Sequence, residues 1–228
     1  RVQKSPKRYR TTFVLGARSS TDDPEGEIQE SLDATPPDET AVKATLSRFV
    51  GRIDQTPPAH SAVHVDGRRA YKLARRGVAP DLPPRPVTIH AVDLLRYDWP
   101  ELELDVRCGS GTYVRALARD IGESLGVGGY CKALVRTAVG GFSLEAAVRP
   151  DALDLNRDLL TPLTALTELP RLMLSEESVR GLRMGKSAAI EPGTAEGEAV
   201  VLDATGRLVA LAEVRAGRVA PAKVFPAS

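Results

Sequence analysis

Apolar and polar residues alternate strictly in Glu101-Leu102-Glu103-Leu104-Asp105-Val106-Arg107-Cys108. A period of two predicts a strand with one face in a core and the other in water. Residues 87–97 read as its partner. Tyr9-Arg10-Thr11-Thr12-Phe13-Val14-Leu15, rich in β-formers and ended by Gly16, reads as a further strand. Beyond Cys108 the period changes: Val114, Leu117, Ile121 and Leu125 recur at helical spacing. Val42, Leu46, Phe49 and Val50 do the same behind Pro37-Asp38-Glu39-Thr40, giving a helix with Gly51 as its stop. Residues 130–139 return to a strand.

The connections are uneven. Arg18-Ser19-Ser20-Thr21-Asp22-Asp23-Pro24-Glu25-Gly26 reads as an exposed acidic loop. Thr56-Pro57-Pro58-Ala59-His60-Ser61-Ala62-Val63 leads into a hairpin-like piece that turns at Asp66-Gly67, and a basic helix is predicted over residues 68–77. Proline-rich residues 80–86 close this excursion, which at about 30 residues is long for a connection and points to a functional segment. Cys108-Gly109-Ser110-Gly111-Thr112-Tyr113 is a glycine-rich strand-to-helix junction, which suits anion contact and equally suits a sterically tight turn. Strands and helices without equal βαβ repeats predict an α+β fold with a mixed or antiparallel sheet. The expected main domain covers 1–150, with an insertion at about 57–86. Short helical turns over 151–170 read as a linker. Residues 171–228 read as a small β domain with a helix capped at Ser175, β segments at 199–202 and 208–214, and a last short strand at 221–226.

Composition narrows the class. Of 228 residues, 42% are apolar and 4% aromatic, which excludes a disordered or fibrous chain. Two cysteines, Cys108 and Cys131, are too few for a disulfide framework and lack metal-ligand spacing. With no membrane-length apolar run and no signal-peptide pattern, the expected location is the cytoplasm. The near balance of 31 basic and 30 acidic residues conceals segregation. Arg68, Arg69, Lys72, Arg75 and Arg76 cluster in the insertion, whereas residues 20–40 are acidic. A segregated basic stretch is either a phosphate-binding surface or a solvated face, and charge alone favours the latter.

Lys7-Arg8-Tyr9-Arg10, Leu15-Gly16, Thr21-Asp22-Asp23-Pro24-Glu25-Gly26, Pro57-Pro58-Ala59-His60-Ser61-Ala62-Val63, Gly67-Arg68-Arg69-Ala70-Tyr71 and Cys108-Gly109-Ser110-Gly111-Thr112-Tyr113-Val114-Arg115 occur in this order. None is specific alone. Together, with Ala133-Leu134-Val135-Arg136, they resemble the bacterial TruB family of tRNA pseudouridine synthases, which isomerise uridine 55 in the T arm. The resemblance implies base flipping and an aspartate nucleophile, with no metal or organic cofactor. It implies that Tyr9 stacks on the target base, that Tyr113 and Leu134 line the substrate pocket, and that Arg115 pairs with the catalytic carboxylate. It further implies that the basic insertion grips RNA, which sets the chain apart from guide-RNA-dependent synthases, and that the tail is a PUA-like domain. The expected partner is tRNA through its T-arm stem-loop, with no membrane and no obligate protein partner, and the expected state is a monomer. Ordinary roles exist for some of these residues: a leucine in a strand is most often core. Arg115 is harder to place so, because a charged side chain beside an apolar helix stripe requires a partner.

One departure stands out. The family's nucleophile belongs to a glycine-threonine-leucine-aspartate-proline motif several dozen residues before its Lys-Arg-Tyr-Arg segment, with a histidine shortly ahead of it. No aspartate here has that context, and Asp23 aligns with an auxiliary loop acid of the family. The sequence therefore predicts an N-terminally truncated chain that binds RNA and does not by itself isomerise it. The alternative is a non-catalytic tRNA-binding or RNA-chaperone module.

Overall fold

The computed structural model describes residues 2–31, 33–65, 68–71 and 82–226. They fall into two compact units, one built on residues 2–139 with 143–145, the other on 140–142 and 146 onward.

The first unit is organised by a six-stranded sheet. Its strands include β1 (Lys7–Leu15), β4 (Gly51–Gln55), β7 (Arg85–Asp98), β8 (Glu101–Cys108), β9 (Gly129–Val139) and β10 (Phe142–Ser143), in the order β10-β9-β1-β8-β7-β4. The pairings of β1 with β8 and β9, of β7 with β8 and of β4 with β7 are antiparallel. The short strands β2 (Ala17–Ser19) and β3 (Ile28–Glu30) pair with each other, as do β5 (His64–Val65) and β6 (Arg68–Arg69). Helices α1 (Glu39–Arg48) and α2 (Val114–Ser124) belong to the same unit.

The alternating pattern of β8 is realised as read. Leu102, Leu104, Val106 and Cys108 are buried with Phe13 and Leu15 of β1, Val42 and Leu46 of α1, and Val114, Leu117 and Ile121 of α2. The opposite sheet face carries cross-strand ion pairs, Arg8 to Asp105 at 2.7 Å and Lys132 to Glu101 at 2.5 Å. Helix α1 begins where expected: the Asp38 carboxylate accepts from the Ala41 N–H at 2.7 Å, capping the first turn. Val50 differs from expectation, because the helix ends at Arg48 and Val50 lies exposed.

Helix α2 ends in a Schellman motif. The Val127 N–H donates to the Gly122 carbonyl at 3.1 Å and the Gly126 N–H to Glu123 at 3.0 Å, with Gly126 left-handed. The returning chain lies so close to the helix that a Cβ on Gly122 would stand 2.2 Å from the Gly128 carbonyl carbon, and one on Gly129 would stand 2.6 Å from the Ala118 oxygen. Glycine at both positions therefore sets the height of α2 over β9.

Several short elements differ from the sequence reading. The acidic loop is the tip of the β2–β3 hairpin. Strand β4 follows α1 directly. Arg68 and Arg69 begin the predicted basic helix in sequence, yet they form β6, paired to His64 and Val65 across the expected turn. Ala70 and Tyr71, next in the predicted helix, are helical, and Lys72, Arg75, Arg76 and the rest of it lie outside the described residues.

The second unit has its own core. Strands β11 (Arg171–Met173), β12 (Ala188–Ala189), β13 (Gly197–Leu202), β14 (Leu208–Arg215) and β15 (Arg218–Val224) form a sheet in the order β11-β13-β14-β15-β12. Of its two helices, α3 (Leu155–Asp158) is a single turn, while α4 (Glu176–Arg183), capped by Ser175, buries Val179 and Leu182 against Val201, Val209 and Val214. Alternation along β13 sends Val200 and Leu202 to the other side, where they meet Leu166 and Leu163. Part of the stretch read as a linker thus packs on this sheet.

Candidate active site

Strand β1 carries Tyr9 into the middle of the main sheet, opposite Val106 of β8 and Arg136 of β9. The ring is half-buried against the core, and the Arg136 guanidinium lies 5.6 Å from its centroid. Two residues on, Thr11 sits opposite Leu134. The Thr11 hydroxyl donates to the Ala133 carbonyl at 2.7 Å, which fixes the local course of β9. Leu134 is 43% exposed and is therefore not a core leucine.

Strand β8 ends two residues beyond Val106, and the glycine-rich junction leads straight into α2. Tyr113 is the N-cap of that helix, but its side chain makes no capping bond. Gln55, 1% exposed at the end of β4, holds the Tyr113 main chain instead. Its amide oxygen accepts from the Tyr113 N–H at 2.8 Å and its amide nitrogen donates to the Tyr113 carbonyl at 3.2 Å. A side-chain amide thereby replaces a strand partner, satisfying one of the orphan donors at the helix start. The Tyr113 ring packs on Val63, Ala70 and Leu82, the described base of the insertion. A cavity of about 170 Å³ opens beside it between Gln55, Arg85, Ser110 and Gly111.

Arg115 and Arg119 project one turn apart on α2, so both reach the same surroundings. Arg115 pairs with the Asp23 carboxylate and donates to the His60 carbonyl at 3.2 Å. Arg119 binds Asp22 at 2.8 Å, Asp120 at 2.9 Å and the Thr56 carbonyl at 2.8 Å. Burial pushes the Asp22 carboxyl above the usual range against the opposing pull of Arg119, and burial does the same to Asp120. Burial also pushes on Asp23, but hydrogen bonds from the Thr21 hydroxyl, the Arg115 guanidinium and the Glu25 N–H outweigh it and hold that carboxyl low.

The expected partner of Arg115 is a catalytic carboxylate; its partner in this fold is the loop acid Asp23. Tyr9 and Leu134 lie two register positions apart on the β1–β9 pairing, and Tyr113 and Arg115 open α2 just past the end of β8, the strand on the other side of β1. Of the basic residues expected to bind RNA, Arg69 is exposed and Arg68 is described only by its strand. Sequence reading missed Gln55 and Arg119. The signal for Arg119 was present: a charged residue beside the same apolar stripe that made Arg115 conspicuous.

Residues 1–114 match the model of the TruB family pseudouridylate synthase N-terminal domain. A protein of Caulobacter sp. (strain K31) named tRNA pseudouridine synthase B is 40% identical over 98% of this chain and 77% of its own length. Proteins of the same name from Parasynechococcus marenigrum (strain WH8102) and Corynebacterium glutamicum (strain R) are 43% and 41% identical, over 86% and 95% of this chain and 68% and 74% of theirs. The fold resembles chains in an H/ACA RNP bound to a substrate RNA containing 2'-deoxyuridine (TM-score 0.68, 18% identity) and in a Cbf5-Nop10-Gar1 complex (TM-score 0.69, 20% identity). Those likenesses cover 99% and 98% of this chain and 68% of each of the others. The family model and these relatives define an RNA-modifying isomerase of the pseudouridine synthase class. Within that class, the chain belongs to the TruB family.

Proposed function

We propose that the protein isomerises uridine 55 in the T arm of tRNA to pseudouridine. The observation that carries the reading is that Tyr9 and Leu134 lie two register positions apart on the β1–β9 pairing, while Tyr113 and Arg115 open α2 just past β8, the strand on the other side of β1, with Arg115 held by Asp23. Three relatives named for tRNA pseudouridine synthesis, each about 40% identical, support tRNA as the substrate. The reaction detaches uracil from its sugar and reattaches it through carbon 5, so the base must leave the stack and meet a nucleophile. Tyr9 offers the π-face that replaces the lost stacking neighbours. Exposed Leu134 and the Tyr113 ring supply apolar walls, and Arg115 supplies the positive charge for the reacting carboxylate. None of the aspartates in these 228 residues lies in the glycine-threonine-leucine-aspartate-proline context.

In this reading residues 1–150 form the catalytic domain, the basic insertion grips RNA phosphates, and residues 171–228 act as a PUA-like domain on the far end of the stem. The protein works as a cytoplasmic monomer without an obligate protein partner. The test is release of tritium from a T-arm stem-loop carrying [5-³H]uridine, with the protein expressed from its complete reading frame. Tritium release at the single target uridine is expected. Tight binding without release would overturn catalysis in favour of the RNA-binding alternative.

A further inference from the structure

We propose that Arg119 and Asp22 form a positioning pair, which fixes the acidic turn so that Asp23 meets Arg115; this rests on the functional reading above. Asp22 has a left-handed backbone, φ 62°, a conformation uncommon outside glycine that aspartate and asparagine tolerate better than other residues. It is pinned from two sides. Its carbonyl accepts the Cys131 N–H at 3.0 Å, and its carboxylate, in a residue only 8% exposed, accepts from Arg119 at 2.8 Å.

The neighbouring residue inherits that geometry. Asp23 follows directly, its carboxylate held by Thr21 at 2.5 Å and by Arg115. The two ion pairs are therefore rungs of one ladder: positions 22 and 23 are consecutive on the turn, and 115 and 119 are one turn apart on α2. Arg119 also grips the Thr56 carbonyl while Arg115 grips that of His60, so the ladder joins the turn, the helix and the lead-in to the insertion. The charged groups around Asp22 are Arg119, Asp120, Arg115 and Asp23. Without the Asp22 charge, Arg119 retains Asp120 and the Thr56 carbonyl, but the turn loses its side-chain tether. The left-handed residue is then free to relax, and Asp23 withdraws from Arg115.

Asp22→Asn isolates the charge, because asparagine has similar size and tolerates the left-handed region. In the protein from its complete reading frame, T-arm RNA affinity should stay within about twofold. The single-turnover rate should fall by roughly tenfold to a hundredfold, as for other small misplacements of reacting groups. Combined with Asp23→Asn, the substitution should cost nothing further in rate, because its effect runs through Asp23. A second measurement does not depend on turnover: carboxyl NMR titration of Asp23. Loss of a neighbouring negative charge alone would lower the Asp23 pKa, whereas loosening of Arg115 raises it. We expect the rise, with partial retention of the low value in Arg119→Lys. An unchanged or lower Asp23 pKa in Asp22→Asn would overturn the proposal, as would a full additional rate loss in the Asp23→Asn background. If wild-type protein released no tritium, the functional reading would fail, and the titration would still decide whether the pair positions Asp23.

Discussion

Replacing Gly122 by alanine tests whether the height of α2 over β9 is fixed by backbone contact. The added Cβ would lie 2.2 Å from the Gly128 carbonyl carbon, 2.3 Å from the Gly129 nitrogen and 2.4 Å from the Gly128 oxygen. Ordinary contact begins 1 Å or more farther out, and none of these atoms belongs to a side chain that could swing aside. Alanine gains about 1 kcal/mol of helix propensity over glycine. Against this stands overpacking of about 3 kcal/mol, the upper end for buried insertions because backbone must move. The hydrogen bonds from Val127 and Gly128 to the Gly122 carbonyl, 3.1 and 3.0 Å, are strained together and add about 1 kcal/mol. The net loss is about 3 kcal/mol, or a fall in midpoint of roughly 6–12 °C for a unit of this size. Trp99, the chain's single tryptophan, packs on the same core and reports unfolding of this unit by fluorescence. Gly181→Ala is the counter-case in α4: its Cβ would meet only the Lys186 Cβ, at 3.9 Å. That variant should gain up to about 1 kcal/mol, read by circular dichroism. A Gly122→Ala protein melting within a degree or so of wild type would refute the close-packing argument.

Gln55→Leu leaves the Tyr113 N–H without a partner, while the Tyr113 carbonyl keeps the Leu117 N–H at 3.1 Å; the variant should cost about 1–3 kcal/mol, measured by urea unfolding, with a parallel loss of T-arm affinity if the Tyr113 ring lines the pocket. Replacing Arg68, Arg69, Lys72, Arg75 and Arg76 by glutamine should lower RNA affinity and flatten its salt dependence, by somewhat less than one logarithmic unit of slope per lost phosphate contact; an unchanged slope would identify a solvated face. Because burial raises the Asp22 carboxyl above its unfolded value of about 3.9, there is a pH window above that value in which the folded state holds a proton there that the unfolded chain has released. The stability of wild type relative to Asp22→Asn should therefore improve as pH falls from neutral to about 4 and then level off. Asp23, held low, acts in the opposite sense: Asp23→Asn should lose its deficit against wild type only below the ordinary carboxylate range.

The parts of the fold legible in the sequence are those where one physical requirement repeats. Residues 101–108 alternate because each second side chain enters the core, and the stripe from Val114 to Leu125 recurs because one face of α2 does the same. Strand β4 has no such repetition. Its five residues, Gly-Arg-Ile-Asp-Gln, contain one apolar side chain, and the most buried position belongs to Gln55. The β2–β3 hairpin escaped because its strands are three residues each and β3 is wholly exposed. Arg68 and Arg69 read as a helix start because basic residues suit helices well, whereas strand pairing with His64 and Val65 decides their conformation. At the site, Tyr9, Tyr113, Leu134 and Arg115 were legible through motif resemblance. Asp22 and Arg119 were not paired, because a contact spanning 97 residues has no periodic signature.

The missed residues share a property that bears on how the site is built. The apolar core fixes where β1, β8 and α2 run, but hydrophobic contact is non-directional and leaves the turn at residues 20–26 and the lead-in at 56–60 free to slide. Directional groups settle both. Gln55 fixes Tyr113 through its peptide, Arg119 ties Thr56 and Asp22 to one helix position, and Arg115 ties His60 and Asp23 to another. Each clamp is a polar or charged side chain in a largely dry setting, where leaving any partner unmatched is costly, so partial arrangements are disfavoured and the set forms or fails together. The base of the insertion packs on Tyr113 through Val63, Ala70 and Leu82, so the segment proposed to grip RNA rests on one of the same clamped residues. If the insertion engages phosphates as proposed, that engagement is linked through this packing to the placement of Tyr113, and through the His60 carbonyl to Arg115, without any long-range rearrangement of the sheet.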